Sequence, residues 1–202
     1  MALITCPNDC ETLLPPVKYD DCNPEIVLSE IQTIFLGAKN AEPFTDFESP
    51  TEWATRLSQT AVLAGTIRPL TVIADKPAST PVVIELSNDR KKVVSNDFVL
   101  NVESDDVSDE NYNFMRVSQC GGQYRMWYKT KGGKIYGGNE GIEDAFLQFD
   151  IVNARGKNEI EKIQGTITWS NAHSPERGIS KKKKKQLTKI KPPSLCVGRF
   201  LN

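Results

Sequence analysis

Short runs of β-forming residues, separated by glycine, proline and asparagine, account for most of residues 30–169. The densest stretch is 112–169, and the run 123–136 lies at its centre. Successive side chains of a strand point to opposite faces, so the even-numbered and odd-numbered residues of this run are expected on opposite sides of a sheet. The even set is Tyr124, Met126 and Tyr128, and the odd set is Arg125, Trp127 and Lys129.

The glycine pair Gly132-Gly133 follows this strand directly. Glycine readily adopts the positive φ angles of a two-residue type I′ turn, so the pair predicts a hairpin that returns through residues 134–136. Further runs predict strands at 30–36, 61–67, 70–74, 82–86, 91–94, 98–102, 145–152 and 159–169, with a hairpin connection at 87–90. The pattern therefore predicts a mainly β fold, either an antiparallel β-sandwich or a half-barrel.

One short α-helix is predicted, at residues 49–58. Ser49 occupies the N-cap position, Pro50 the first helical position, and Glu52 completes a capping box three residues after the cap. Trp53 and Leu57 share one face at i and i+4 and are expected to pack on the sheet. The acid-rich segment 103–111 lacks the glycine of a calcium loop and is interpreted as a solvated connection.

The chain is expected to contain one domain with two extensions. Residues 1–25 contain four prolines, which remove backbone donors, and they predict an extended N-terminal arm. Contact with another subunit is expected to order this arm, and the alternative is a local wrap over the chain's own sheet. Residues 26–175 form the predicted assembly domain, and residues 176–202 a basic C-terminal tail. The start of the chain lacks the features of a secretory signal, and no run has the length of a membrane span, so synthesis in a cytoplasm is expected.

Charge is distributed unevenly between the predicted domain and its tail. Residues 176–202 hold nine of the 25 Lys and Arg residues and one of the 26 Asp and Glu residues. This leaves residues 1–175 with 16 basic and 25 acidic side chains, a net charge of −9. An acidic body repels phosphate, so contact with the acidic body of a neighbouring subunit is favoured over nucleic acid for the tail. The central cations of the tail are Lys181, Lys182, Lys183, Lys184 and Lys185.

The sequence contains no recognisable catalytic constellation, and no enzyme activity or cofactor is predicted. His173 is the single histidine and lies beside Ser174 and Pro175 in a predicted loop. The glycine pairs lack the following lysine and helix of a phosphate-binding loop. Three of the five cysteines lie close together, and their spacing leaves a zinc site or inert thiols as alternatives. These three are Cys6, Cys10 and Cys22.

Aromatic residues around the central hairpin suggest two interpretations. One is a set of core and cross-strand pairs, and the other is a platform that binds sugars or another subunit. The candidate surface residues are Tyr124, Trp127, Tyr128 and Tyr136, with Trp169 as a further member of a sugar-binding platform. A platform would make the chain a carbohydrate-binding module or would supply an assembly surface.

The order of elements resembles the tail-tube proteins of tailed bacteriophages. The similarity rests on an early strand ending in Gly37, a short helix containing Trp53, a β-meander, and a last strand ending in Thr166-Ile-Thr-Trp169. It implies a non-enzymatic virion protein, assembled in the host cytoplasm, that forms stacked homo-oligomeric rings, usually hexamers. The implied channel is electronegative, so that DNA passes as cargo without sticking, and other virion proteins are the further partners. Capsid decoration proteins and neck proteins are the nearest alternatives.

Overall fold

A computed structural model describes residues 24–58, 65–88, 90–156 and 158–179. These residues form nine strands and two helices. In chain order the elements are β1 (Ile31–Ala38), α1 (Pro50–Ser58), β2 (Ile67–Asp75), β3 (Thr80–Glu85), β4 (Lys91–Ser104), α2 (Asp109–Ser118), β5 (Gln123–Thr130), β6 (Lys134–Tyr136), β7 (Ile142–Val152), β8 (Lys162–Asn171) and β9 (Arg177–Ile179).

Six strands form a closed antiparallel barrel in the order β1-β2-β4-β8-β7-β5. The barrel closes because β5 pairs with β1, from Ile31 opposite Thr130 to Ala38 opposite Tyr124. Strands β6 and β9 extend the sheet beyond β5, and β3 pairs with β4. The predicted mainly β, antiparallel fold is confirmed, and its six central strands close on themselves instead of forming two separate sheets.

Inward-facing side chains fill the barrel with a continuous apolar core. The predicted alternation in β5 is confirmed, because Met126 and Tyr128 belong to this core while Trp127 lies on the outer face. On that outer face α1 covers β1 and β5 through a second apolar cluster. This outer cluster comprises Phe35, Phe44, Phe47, Trp53, Ile67, Trp127 and Ile135.

Helix α1 lies where the sequence predicts it, with Trp53 buried and Leu57 half-buried. The predicted capping box is wrong in its details. The Glu52 carboxylate accepts hydrogen bonds from the backbone N–H groups of Thr45 at 3.0 Å and Asp46 at 3.1 Å. The N–H of Ser49 instead donates to the carbonyl of Asp46. Glu52 therefore fixes the loop that precedes the helix.

A second helix, α2, replaces part of the predicted solvated segment and the start of the predicted β-rich stretch. The prediction of a single helix was wrong because α2 lacks the start signal of α1: the residue three after Ser108 is asparagine, and Ser108 makes no side-chain cap hydrogen bond. Acidic residues in its first turn, Asp109 and Glu110, are favourable at a helix N-terminus. The helix packs on the barrel through Phe114, whose ring centroid lies 6.4 Å from that of Phe149.

Two local predictions also need correction. The β5–β6 connection has three residues, because Lys129 pairs with Ile135, and Gly133 takes a positive φ of 78°. The sheet also continues past residue 175, since β9 pairs with β6 within the segment assigned to the basic tail. There the Glu48 carboxylate accepts a hydrogen bond from the N–H of Ile179 at 2.8 Å.

Neither α1 nor α2, the helices of the described residues, has the length and apolar character needed to cross a membrane.

Candidate interaction surface

Strand β4 runs out of the barrel and forms a projecting hairpin with β3. Its second part, from Asn96 to Ser104, pairs with β8 in the barrel wall. Its first part pairs with β3, where Glu85 lies opposite Lys91 and Ile84 opposite Lys92. Every residue of β3 is exposed. The two-stranded hairpin β3–β4 thus projects from the barrel, and no described element forms a second layer beneath it.

Six large aliphatic side chains on this hairpin are 36–53% exposed. A two-stranded hairpin gains little stability in water unless a further layer covers it, and clustered exposed apolar residues mark interaction sites. We name this cluster the hairpin surface. It comprises Val82, Val83, Ile84, Leu86, Val93 and Val94.

The outer edge of β3 is also open. Among the described residues β3 pairs only with β4, so backbone groups along its other side are available to another strand. Pro81 interrupts that edge because it lacks an N–H group, and the register shifts between Val82 and Val83. The outer edge of β3 can therefore pair with another strand only where Pro81 and the register shift permit. The aliphatic side chains on the two faces of the hairpin remain exposed.

The hairpin tip carries three cationic residues, Arg90, Lys91 and Lys92. Asn88 takes a positive φ of 64°, and the N–H of Leu86 donates to the carbonyl of Arg90 at 2.7 Å, which closes the connection. Lys91 lies 3.7 Å from the Glu85 carboxylate, and both side chains are largely exposed. Such an exposed pair contributes little to stability. The tip therefore offers cationic groups beside the aliphatic hairpin surface.

The aromatic residues singled out from the sequence do not form an exposed platform. Trp127 is fully buried, and its indole N–H donates to the carbonyl of Gly138 at 2.8 Å. Tyr128 is 4% exposed and stacks on Tyr136 with ring centroids 4.8 Å apart. Tyr124 and Tyr136 are half-buried against the barrel core. The assignment of Trp127 and Tyr128 to an exposed surface is therefore corrected, since Trp127 is buried in the outer cluster with Trp53 and Tyr128 is buried in the barrel core.

Burial of the Tyr128 side chain raises the pKa of Tyr128 well above the ordinary value for tyrosine, and the nearby Tyr136 raises it further. The unfolded chain loses this proton near pH 10 while the folded chain keeps it, so stability is present below about pH 10 and falls as the pH rises further. We expect urea denaturation between pH 9 and pH 11 to show a shallower loss of stability for Tyr128→Phe than for the unaltered protein. The exposed Tyr112→Phe variant is the control, and an identical pH dependence in both variants would contradict the prediction.

A polar cluster lies on the outer face of β4 and β8. The Glu103 carboxylate accepts hydrogen bonds from Lys162 Nζ at 2.7 Å and Gln164 Nε2 at 2.8 Å. These two hydrogen bonds lower the pKa of Glu103, and the bond to Glu103 raises the pKa of Lys162. Both groups therefore stay charged near neutral pH, which suits a cross-strand ion pair better than proton transfer.

Several sequence predictions concern residues that the structure does not describe. The lysines 181–185 and the cysteines Cys6, Cys10 and Cys22 lie outside the described residues. His173 is exposed. Within the part of the chain that the structure describes, no group of three or more His, Cys, Asp or Glu side chains is arranged to hold a metal ion.

Sequence reasoning predicted the two strands of the hairpin but not its exposure. The available signal was the consecutive run Val82-Val83-Ile84, which places aliphatic side chains on both faces of a strand. Such a run is equally typical of a strand buried on both faces. Only the topology shows that the barrel covers neither face of this hairpin.

No family model, curated protein or solved structure matches this chain.

Proposed function

We propose that this chain is a non-enzymatic structural subunit of a phage particle, a tail-tube protein that forms stacked homo-oligomeric rings around a DNA channel. The observation that carries the proposal is the uncovered hairpin surface. Six aliphatic residues on a projecting hairpin lose contact with water only when another protein covers them. The order of elements that resembles tail-tube proteins makes a second copy of the chain the expected cover.

The closed barrel supports assembly through the hairpin. Closure pairs the barrel strands with one another, and the outer edge of β3 is among the described strand edges that stay open to strand addition. An interface in such a protein must therefore use the hairpin, the outer barrel faces, or segments outside the described residues. The hairpin combines an open edge with apolar faces, the two features that favour strand pairing between subunits.

The net charge of the body supports the proposed DNA channel. Residues 1–175 carry a net charge of −9. If acidic side chains line the inside of a ring, they repel phosphate at distances shorter than about 8 Å, the screening length at physiological salt. DNA then slides past the wall without adhering to it.

The hairpin surface suits a capsid decoration or neck protein as well as a tail-tube protein, because each binds other virion proteins. These alternatives differ in self-association. A tube subunit forms rings or filaments from the pure protein, whereas a decoration or neck protein requires a different partner. A sugar-binding module is disfavoured because Trp127 and Tyr128 are buried.

The proposal predicts that the pure protein forms rings or tubes at high concentration and that Val83→Ser/Ile84→Ser/Val93→Ser prevents this. Truncating an apolar anchor at an interface costs about 1 kcal/mol or more, so the triple variant should weaken association about 100-fold. Negative-stain microscopy and sedimentation velocity measure the assembly.

The matched control is Val117→Ser/Val152→Ser/Ile160→Ser, which removes three exposed aliphatic side chains outside the hairpin. We expect this control to assemble like the unaltered protein, and both variants to keep its thermal unfolding midpoint. A protein that stays monomeric at every concentration, or a hairpin variant that still forms rings, would refute the proposal.

A further inference from the structure

We propose that the hairpin of one copy docks in a groove on the outer face of a second copy's barrel, where Ile84 packs on Phe146 and Lys92 pairs with Asp97. This inference rests on the proposed function and deepens it, because it names the two surfaces that join neighbouring subunits. The groove is defined by outward-facing residues of β4, β7 and β8. These residues are Asp97, Val99, Asp144, Phe146, Thr168 and Ser170.

The groove has an uncovered aromatic floor. Phe146 is 47% exposed and alternates along β7 with the buried residues Ala145 and Leu147, so its ring faces outward. Thr168 lies opposite it on β8. Among the described residues that line the groove, none belongs to α1 or α2. No described element therefore covers the Phe146 ring.

A carboxylate without a countercharge lies in the same groove. Asp97 accepts a hydrogen bond from the Ser170 hydroxyl at 2.6 Å and makes no ion pair with any described residue. The other acid, Asp144, is already paired with Lys39 at 3.0 Å. Asp97 is thus the charge in this groove that an incoming cation would neutralise.

The hairpin carries the matching groups on one face. Ile84 and Lys92 are direct cross-strand partners, so an aliphatic side chain and an ammonium group lie side by side. Lys92 makes no ion pair with any described residue, whereas Lys91 is paired with Glu85. The hairpin therefore presents Ile84 beside Lys92, and the groove presents Phe146 beside Asp97.

A second copy has to supply one half of this contact. Lys92 and Asp97 belong to the same extended strand, β4, and are five residues apart, which separates them by about 17 Å along the strand. The strand cannot bring these two groups together within one chain. Each copy has both a hairpin and a groove, and β4 contributes to both. Each copy can therefore dock its hairpin on one neighbour and bind the hairpin of another neighbour in its own groove.

A charge exchange tests the docking. We expect Lys92→Glu alone and Asp97→Lys alone each to weaken self-association about tenfold. Combining both changes in one chain should restore association. An equimolar mixture of the two single variants should restore it too, because each altered surface then meets a compatible partner. Sedimentation velocity at several protein concentrations gives the comparison.

Arg155→Glu, a charge reversal at an exposed residue of the β7–β8 connection, is the matched control and should associate normally. Thermal unfolding of each variant checks that it folds. If Asp97→Lys does not fold, Phe146→Ser takes its place as the variant that impairs association, with Val152→Ser on the same face of β7 as its control.

The outcomes separate the two proposals. If the unaltered protein assembles but Lys92→Glu assembles equally well, or if neither the double variant nor the mixture recovers, the docking is wrong and the proposed function stands. If the unaltered protein does not self-associate, the proposed function fails and the docking fails with it.

Discussion

Replacement of Trp127 by alanine is expected to lower the free energy of unfolding by about 3–5 kcal/mol, the usual cost of removing a large buried aromatic side chain. Trp127 is fully buried at the centre of the outer cluster. Its ring makes edge contacts with Phe44 and Trp53, at centroid distances of 5.2 Å and 6.0 Å. The substitution also leaves the carbonyl of Gly138 without its buried hydrogen bond.

Urea denaturation of the dilute monomer measures this loss. The control is Phe146→Ala, which removes a half-exposed aromatic side chain and is expected to cost less than about 1 kcal/mol. A loss below 1 kcal/mol for Trp127→Ala would mean that α1 and its loop contribute little to stability. Trp127→Ala should also weaken the packing of α1 on the barrel, since Trp53 then loses its contact with the Trp127 ring.

Gly165→Ala is expected to destabilise the barrel by about 3 kcal/mol or more, at the upper end of the range for overpacking. A Cβ atom at Gly165 would lie 2.1 Å from the carbonyl oxygen of Gln148 and 2.5 Å from the ring of Phe149. The first neighbour is backbone of β7 and cannot move without disturbing the barrel wall. Glycine at this position therefore allows the close approach of Phe149 over β8, where the two residues are cross-strand partners.

The strain in Gly165→Ala should reach α2. Phe149 contacts Phe114 of α2, and its carbonyl accepts a hydrogen bond from the Gln119 side chain at 2.9 Å. Amide hydrogen exchange should therefore speed up in α2 as well as in β7. Gly156→Ala is the control, because its nearest neighbour would be the flexible side chain of Glu159. Equal stability of the two variants would refute the packing argument.

Local periodicity predicted most of the strands because their signal lies within a few residues, although the two strands expected at 91–94 and 98–102 are one strand, β4, and β2 begins only at Ile67. The alternation of Met126, Trp127 and Tyr128 fixed the two faces of β5 correctly, and Ser49-Pro50 fixed the start of α1. Barrel closure depends instead on pairing between β1 and β5, which lie far apart in the sequence. No local pattern contains that information.

The candidate interaction surface was hidden from sequence reasoning for a different physical reason. An aliphatic residue gives the same sequence signal whether it is buried in its own chain or waits for a partner, so Val83 and Ile84 resembled core residues. Conversely, the sequence pattern of Trp127 and Tyr128 is also typical of an exposed platform, whereas the barrel and α1 enclose both side chains. Helix α2 was missed because its start lacks the proline and the glutamate at the positions that marked the start of α1.

Strand β4 also determines how the molecule responds to mechanical load. It belongs to the hairpin at one end and to the barrel wall at the other, where nine residue pairs join it to β8. Hydrogen bonds in an antiparallel ladder lie perpendicular to the strands. A pull on the hairpin along β4 therefore loads these bonds in shear, many at once, whereas a sideways pull would open them one after another. The attachment of the hairpin to the barrel thus resists a force along β4 more strongly than a force perpendicular to β4.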